Sequence, residues 1–260
     1  MKRAAQPGRQ GTWRTYDGTN GLPGPVIALL QDHKGYLWLG TWGSGASCYD
    51  GERFRTFTRE EGLAGTQVWA LAEDKEGRLW LGSEGGLSCW DGRAFTNYSG
   101  QAGLLPGTVQ ALCFDQEGRL WIGTEGGLCH FDGRVFATYT TAQGLVDNRI
   151  NALAVGQGGL WIGTDGGLCS FDGQVFSTYT TDQGLPHQEV NCLLADPEGR
   201  LWVGTEGGLG CLEGGGSSGT ARPRACPTNW CALCVWTGKV GCGWVPVAGP
   251  PAWRRGALLG

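Results

Sequence analysis

The sequence lacks long apolar runs and any excess of positive charge. No stretch of 18 apolar residues occurs, so it predicts no membrane-spanning helix and no direct insertion into a membrane. The formal net charge of −4 gives no electrostatic reason to expect a nucleic acid as partner. The first ten residues begin with basic side chains, but no apolar core follows them, so we expect no complete signal peptide.

Signals of catalysis are also scarce. The sequence has no Gly-x-Ser-x-Gly motif, no phosphate-binding P-loop and no dinucleotide-binding motif. Histidine occurs only three times, at His33, His130 and His187. We therefore predict no catalytic residue and no cofactor, and we interpret the chain as a binding module.

What the sequence does contain is one short phrase, clearest at 118–127 as Gly-Arg-Leu-Trp-Ile-Gly-Thr-Glu-Gly-Gly. It occurs five times, with spacings of 42, 41, 40 and 41 residues between its tryptophans, which are Trp38, Trp80, Trp121, Trp161 and Trp202. A fixed period of this size is typical of a repeat architecture. Glycine, at 49 of 260 residues, favours many short strands joined by tight turns.

One repeat unit predicts four short strands, at 109–115, 119–124, 128–131 and 135–139. The turn at 115–118 and the Asp132-Gly133 pair are typical of tight hairpin connections. Four antiparallel strands in about 40 residues are the pattern of one propeller blade. A β-solenoid would have a shorter period and would not contain these hairpins, so the sequence predicts an all-β propeller.

The units define the domain organisation. We predict a flexible tail at 1–12 and a β-propeller at 13–213, with blades at 26–57, 68–98, 109–139, 150–179 and 190–213. The last blade lacks its fourth strand, which in the other blades reads Phe-x-x-Tyr or Phe-x-x-Phe. The segment Trp13-Arg14-Thr15-Tyr16 matches that strand and would complete the last blade. A closed ring of five blades and an open arc of a larger ring both remain compatible with this pattern, and we favour the closed ring.

The segment 214–260 differs abruptly from the repeats. When its codons from Ala225 to Pro246 are read in a shifted frame, the genetic code permits a sixth copy of the repeat. Several residues of that copy are forced: Trp230–Cys231 gives Val, Trp236–Thr237 gives Asp, and Trp244–Val245 gives Gly. We therefore hypothesise a frame-shifted sixth repeat, which predicts a disordered or poorly packed tail. An intact reading frame in the genomic sequence near codons 214–216 would contradict this hypothesis.

The eleven cysteines do not indicate a disulfide framework. Several recur at near-equivalent repeat positions and are interpreted as small apolar fillers of strands, namely Cys89, Cys129, Cys169 and Cys211. In the tail, Cys231-Ala-Leu-Cys234 has the spacing of a zinc-binding pair, but its companions Cys226 and Cys242 are irregularly spaced and no second such pair occurs. We predict no metal site there.

The repeat consensus, Gly-Leu…Val-x-Ala-Leu-x-x-Asp-x-x-Gly-x-Leu-Trp-x-Gly-Thr-x-x-Gly-Leu…Phe-Asp-Gly…Phe-x-x-Tyr, resembles the two-component regulator propeller repeat. The resemblance covers 13–213 in five copies. It implies a bacterial sensor whose propeller, usually of seven blades, faces the periplasm. It also implies a β-sandwich module, a membrane span and a histidine kinase as partners in the intact parent, often a hybrid kinase responding to polysaccharide fragments.

This chain departs from that pattern in two ways. We expect no complete signal peptide, no span and no kinase in it, so the resemblance implies the ligand-binding part of a sensor, and the chain itself does not indicate a location. The fourth unit also has Gly156-Gln157-Gly158 where the other units have an aspartate turn.

Residues that recur in every blade are interpreted as scaffold, so a specific site is expected where the blades differ. The variable places are the loop before the innermost strand, the second position of that strand and the loop after the tryptophan strand. Amides beside an exposed tryptophan suit a sugar, or they solvate a channel, and both interpretations stay open. The candidates for binding a small molecule or an oligosaccharide are Trp42, Gln67, Trp69, Gln110, Asn148, Arg149, Asn151, His187, Glu189 and Asn191.

The loop after the tryptophan strand carries an acid in four blades, at Glu84, Glu125, Asp165 and Glu206. Four carboxylates around one rim would be able to hold a cation. We favour a solvated rim whose carboxylates accept hydrogen bonds from nearby amides, and we predict no metal site. Two alternatives to a non-catalytic sensor fragment also remain: a propeller-type lyase with His187 as base, and a non-functional fragment of a disrupted gene.

Overall fold

The computed structural model describes residues 14–100 and 103–213, and these fold as five antiparallel β-sheets arranged one after another along the chain. Four sheets have four strands, and the fifth has three in the described part of the chain. The strands are β1 (Val26–Gln31), β2 (Leu37–Thr41), β3 (Ala46–Tyr49), β4 (Phe54–Phe57), β5 (Val68–Glu73), β6 (Leu79–Ser83), β7 (Gly86–Trp90), β8 (Phe95–Tyr98), β9 (Val109–Phe114), β10 (Leu120–Thr124), β11 (Gly127–Phe131), β12 (Phe136–Tyr139), β13 (Ile150–Gly156), β14 (Gly159–Thr164), β15 (Leu168–Phe171), β16 (Phe176–Tyr179), β17 (Val190–Ala195), β18 (Leu201–Thr205) and β19 (Gly208–Leu212). This is the predicted all-β propeller architecture, with blades 1 to 5 in chain order.

Helix is nearly absent from the described residues. Single turns of 3-10 helix that lie wholly within the described residues occur before blades 1, 4 and 5, at Gly18–Asn20, Thr141–Gln143 and Thr181–Gln183. No helix in this part of the chain is long and apolar enough to cross a membrane. The predictions for 1–12 and 214–260 lie outside the described residues.

Each blade is a meander in which neighbouring strands pair in sequence order, so local turn chemistry sets its shape. In the outer hairpin of blade 3, the side chain of Asp132 accepts hydrogen bonds from the amides of Arg134 (2.8 Å) and Val135 (3.0 Å). Gly133 follows with a φ of 96°, which an L-residue rarely adopts. The Asp-Gly pairs therefore form the predicted tight turns.

A buried aspartate holds the repeated tryptophan in four blades. In blade 3 the indole Nε1 of Trp121 donates to Asp115 Oδ2 at 2.9 Å, while Arg119 Nε donates to the same oxygen at 2.6 Å. The equivalent tryptophan bonds, of 2.9 to 3.0 Å, are Trp38 to Asp32, Trp80 to Asp74 and Trp202 to Asp196. Blade 4 has Gly156 in the aspartate position, and its hairpin closes directly from Gly156 to Gly159.

Successive blades pack through four apolar clusters, each formed by residues of two adjacent blades. A glycine of the tryptophan strand contacts a β-branched residue of the next blade. A Cβ added to Gly123 would lie only 2.5 Å from Cγ2 of Ile150, and one added to Gly163 only 2.6 Å from Cγ1 of Val190. Because glycine has no side chain, the blades approach closely, which explains the Gly of the repeated phrase.

The repeat cysteines are buried, as predicted for apolar fillers. Two of them also join loops to strands, since Cys129 Sγ accepts from the Leu105 amide at 3.3 Å and Cys169 Sγ from the Val146 amide at 3.4 Å. In blade 2 the same role belongs to Ser88, whose Oγ accepts from the Ala64 amide at 3.1 Å. Cys129 and Cys169 thus contribute a hydrogen-bond acceptor as well as apolar volume.

The N-terminal segment differs from the expected fourth strand of the last blade. Trp13 lies outside the described residues, Arg14–Tyr16 form no strand, and the described part of sheet five contains only β17, β18 and β19. The ring of Tyr16 instead packs on Tyr49 and Phe54 of blade 1, at centroid distances of 5.2 and 5.5 Å. Tyr98 packs in the same way on Phe131 and Phe136 of blade 3. Tyr16 thus takes the place of an outer strand residue before blade 1. We call the row of five described blades, from blade 1 to blade 5, the arc.

Candidate functional site

The first strands of all five blades surround one central cavity of about 360 Å³. Its walls are mainly apolar, with an alanine at the same position in four of the strands: Ala28, Ala70, Ala111 and Ala152. The first strand of each blade is therefore its innermost strand. A cavity of this size is large enough for a small ligand.

A β-bulge near the start of every inner strand positions the variable residues at one end of this cavity. In each blade the pairing with the second strand skips one residue, so that Val109 pairs with Thr124 and Ala111 with Gly123. The skipped residues are Ile27, Trp69, Gln110, Asn151 and Asn191. A bulge leaves its extra residue out of the ladder and redirects the side chain. Four of these five side chains, all except Ile27, line the cavity.

Asn151 is the most constrained of the four. Its side chain is 7% exposed, and its Nδ2 donates to Asp165 Oδ1 at 2.6 Å and to the Val190 carbonyl at 3.2 Å. Its Oδ1 is buried and has no hydrogen-bond partner, and the same holds for the indole Nε1 of Trp69. An unsatisfied buried polar group costs about 1–3 kcal/mol. The lining of the cavity therefore carries both an acceptor and a donor without partners.

One tryptophan from blade 1 and one from blade 2 form an aromatic pair beside the cavity. Trp42 is 51% exposed, and its ring packs edge-on against Trp69 with the centroids 4.8 Å apart. Trp42 is held in place by a β-bridge to Gln67 and by donation of its amide to the Pro25 carbonyl at 2.9 Å. The pair offers an apolar surface beside the polar residues of blades 3 to 5.

The rim acids are occupied by protein groups in three blades. Glu84 accepts from the amides of Thr66 (2.8 Å) and Gln67 (2.9 Å) and from Arg59 Nη2 (3.1 Å). Burial acts to raise the pKa of Glu84, but these hydrogen bonds outweigh it, and its pKa is lowered. Glu84 is therefore a loop-fixing residue.

Arg149 lies between the acids of blades 3 and 4. Its Nη2 is 3.9 Å from Glu125 Oε1, and its Nε is 3.5 Å from Asp165 Oδ2. Gln110 Nε2 donates to Glu125 at 3.4 Å, so Gln110 and Asn151 are each joined to the acid of their own blade. Across the described residues, no group of three or more His, Cys, Asp and Glu is arranged to hold a metal ion.

The other candidates lie outside the cavity lining, and most serve their own loops. Asn148 Oδ1 accepts from the Thr141 amide at 2.8 Å, and His187 Nδ1 accepts from the Glu189 amide at 3.1 Å. The Glu189 carbonyl accepts from the Glu206 amide at 3.2 Å. The structure thus brings together Trp69, Gln110, Asn151 and Asn191, with Trp42 and Arg149 beside them, and it does not bring His187 into the cavity.

Five segments of the chain match the family model described as "Two component regulator propeller", at 20–43, 62–85, 103–126, 144–166 and 184–207. The chain belongs to this propeller family. Each match ends just after the rim position that carries Trp42 or an acid, so the five blades correspond to five family repeats. No curated protein sequence matches the chain.

Solved structures share the fold of this regulator propeller. An extracellular domain assigned to a hybrid two component system of B. thetaiotaomicron is 22% identical with a TM-score of 0.71, over 81% of this chain and 31% of that one. A second such domain from the same organism is 24% identical with a TM-score of 0.61, over 73% and 27%. The chain therefore spans about a third of the length of these relatives.

Lyases share the fold as well. A catalytically inactive virginiamycin B lyase from Staphylococcus aureus, in a structure with quinupristin, is 12% identical with a TM-score of 0.60, over 76% of this chain and 69% of that one. At these identities the likeness concerns the fold alone.

Two features of the site were missed by sequence reasoning. The aspartate that binds the tryptophan side chain lies six residues before it in four blades, and this constant spacing in the sequence could have predicted the contact. The bulges had no such signal, because they appear only when the ladder register is known. They explain why the second position of the inner strand, and not the loop before it, supplies the cavity lining.

Proposed function

We propose that this chain is the ligand-binding part of a bacterial two-component sensor and that it binds a small molecule or an oligosaccharide at the bulged end of the central cavity. The observation that carries the proposal is the set of bulged residues Trp69, Gln110, Asn151 and Asn191 lining one cavity. They occupy the second position of the inner strand, where the residue type changes from blade to blade.

The chemistry of this lining suits a sugar. Side-chain amides both donate and accept, as sugar hydroxyls do, and the unpartnered Asn151 Oδ1 and Trp69 Nε1 would gain partners if a ligand and small rotamer shifts reached them. The Trp42–Trp69 pair offers an apolar surface for the face of a sugar ring. Few polar groups among apolar walls are typical of small-molecule sites.

The intact parent would place this propeller outside the cytoplasm, before a β-sandwich module and a histidine kinase. The extracellular domains that share its fold support this location. The role requires no nucleic acid and no cofactor.

A lyase is a weaker second candidate. The fold likeness to lyases favours it, but His187 has its Nδ1 engaged by the Glu189 amide and lies outside the cavity lining. No observation in the described residues places a second catalytic group beside it. We therefore retain binding as the proposed activity.

The test is a glycan array probed with the 260-residue chain, followed by calorimetric titration of the best oligosaccharide. Trp69→Ala and Asn151→Ala should each weaken binding about tenfold or more, a loss of about 1.4 kcal/mol. Gln174→Ala, in an exposed outer turn of blade 4, is the matched control and should bind like the wild type.

Two results would contradict the proposal. One is an oligosaccharide that binds with equal affinity to the wild type and to both cavity variants, since the site would then lie elsewhere. The other is the absence of any binding partner among uncharged and acidic glycans for a chain that melts cooperatively.

A further inference from the structure

The contacts between adjacent blades follow one rule, repeated four times. The tryptophan-strand glycine of one blade receives a β-branched residue from the first strand of the next blade, in the pairs Gly40–Val68, Gly82–Val109, Gly123–Ile150 and Gly163–Val190. Each of these β-branched side chains is fully buried at 0% exposure. The rule leaves two positions of the arc without such a described partner: Val26 at its leading end and Gly204 at its trailing end.

The leading end is incompletely covered. At the leucine position that faces the preceding blade, Leu29 of blade 1 is 43% exposed. Its counterparts are buried in blades 2 and 5, at 8% and 4% for Leu71 and Leu193, and partly buried in blades 3 and 4. Val26 is likewise half-buried, unlike its four counterparts. The leading face therefore consists of Val26 and Leu29, with Tyr16 placed at its outer edge.

The trailing end also exposes apolar side chains, on the side of blade 5 where a following blade would pack. At the position that faces the following blade, Leu194 of blade 5 is 39% exposed. Its counterparts are buried in blades 2 and 4, at 8% and 9% for Ala72 and Ala154, and partly buried in blades 1 and 3. Trp202 is half-buried although the other four repeated tryptophans are buried. The trailing face consists of Leu194, Trp202 and Gly204, beside β19, which has no fourth strand paired to it in the described residues.

We propose that the two faces bind each other between copies of this chain, with the leading face of one copy packed on the trailing face of the next. Val26 of a second copy takes the place beside Gly204 that Val190 takes beside Gly163. Tyr16 of that copy, already positioned as an outer strand residue, lies toward the open edge of β19. The interface repeats a packing that the chain makes four times internally, and exposed apolar faces of this kind commonly mark interaction sites.

This contact is heterologous, because the two surfaces are different. Such contacts join copies head to tail and give closed rings or extended filaments according to the rotation between copies. Leu29 and Leu194 also line the central cavity. The proposal concerns contacts between copies and does not require a bound ligand.

The test is analytical ultracentrifugation of the full chain at increasing concentration. The wild type should form species larger than the 27.6 kDa monomer, with a mass that rises with concentration. Leu29→Arg blocks the leading face and Leu194→Arg blocks the trailing face, so each variant alone should remain monomeric. Because both leucines are exposed, neither change should prevent folding. Val135→Arg, at a 62% exposed position on an outer turn of blade 3, is the control and should associate like the wild type.

A mixture of the two blocked variants is decisive. Each retains one intact face, so the mixture should form a one-to-one dimer of twice the monomer mass and nothing larger. The pair Val26→Arg and Gly204→Arg tests the specific contact in the same way. A wild type that stays monomeric at all concentrations, for example because 214–260 covers the trailing face, would overturn the proposal. So would blocked variants that associate like the wild type, or a mixture that does not dimerise.

Discussion

The buried aspartate beside each repeated tryptophan makes a quantitative prediction for Asp115→Ala. The Asp115 carboxylate accepts from Trp121 Nε1 (2.9 Å), from the Arg119 amide (2.9 Å) and from Arg119 Nε (2.6 Å). Its side chain is 9% exposed, and Trp121 is 4% exposed. The variant removes one acceptor that serves three donors.

The cost is dominated by the indole. Leaving the buried Trp121 N–H without a partner costs about 1–3 kcal/mol, and the amide bond adds about 0.5–1 kcal/mol. Arg119 is 44% exposed, so its ion pair adds no more than about 1 kcal/mol. The free energy of unfolding should therefore fall by about 2–4 kcal/mol, and the melting temperature by about 5–15 °C for a domain of this size.

Calorimetry and denaturant titration measure both quantities, and Arg119→Gln is the matched control. That variant removes the ion pair but keeps the Trp121 and amide bonds, so it should lose no more than about 1 kcal/mol. If Asp115→Ala proves no less stable than Arg119→Gln, the aspartate does not hold the tryptophan, and this account of the blade is refuted.

Three further predictions concern the same scaffold. Burial acts to raise the pKa of Asp115, but hydrogen bonds from Trp121 and Arg119 outweigh burial, and the pKa is lowered. The ionised Asp115 therefore stabilises the folded protein above the pKa of the unfolded state, about 3.9, and this stabilisation is lost as the pH falls below that value. The difference in denaturant midpoint between wild type and Asp115→Asn should accordingly shrink below pH about 4, and a constant difference would contradict this. Trp121→Phe should destabilise the protein by about 1–2 kcal/mol more than Trp161→Phe in denaturant titrations. Both tryptophans are 4% exposed, but only Trp121 donates a hydrogen bond to an aspartate. Equal losses of stability in the two variants would contradict this prediction. Burial raises the pKa of Cys89 and of Cys129 to about 11, so peptide mapping at pH 8 should show both thiols alkylated far more slowly in the folded protein than after unfolding, whereas equal rates would show that they are accessible.

Much of the scaffold was predictable, because strand positions that are uncertain in one repeat can be inferred by comparing it with the other repeats. The strand predicted at 119–124 is observed at Leu120–Thr124, and the one at 135–139 is observed at Phe136–Tyr139. The Asp-Gly turns and the glycine positions depend on local sequence, and their recurrence in the repeats made the pattern recognisable. The contact of Tyr16 with blade 1 was not predictable, because it depends on which blade the N-terminal segment approaches.

The placement of the candidate residues was predictable in part, for a physical reason, while their role in binding stays a prediction. Positions in the inner strand follow the fold, so Gln110 and Asn151 line the cavity as expected. Side chains in the loops follow local hydrogen bonds instead. Asn148 binds the Thr141 amide, and Glu84 binds the amides of Thr66 and Gln67. No sequence pattern distinguishes a loop residue that faces a ligand from one that fixes its own turn.

The central claim, that the bulged residues form the binding site, is tested most directly by NMR of the chain with a bound oligosaccharide. The side-chain amide signals of Gln110, Asn151 and Asn191 and the indole N–H signal of Trp69 should shift during the titration. The indole N–H signal of Trp121, held by Asp115 between blades 3 and 4, should not shift. Shifts confined to the outer turns, with the four cavity signals unchanged, would contradict the claim.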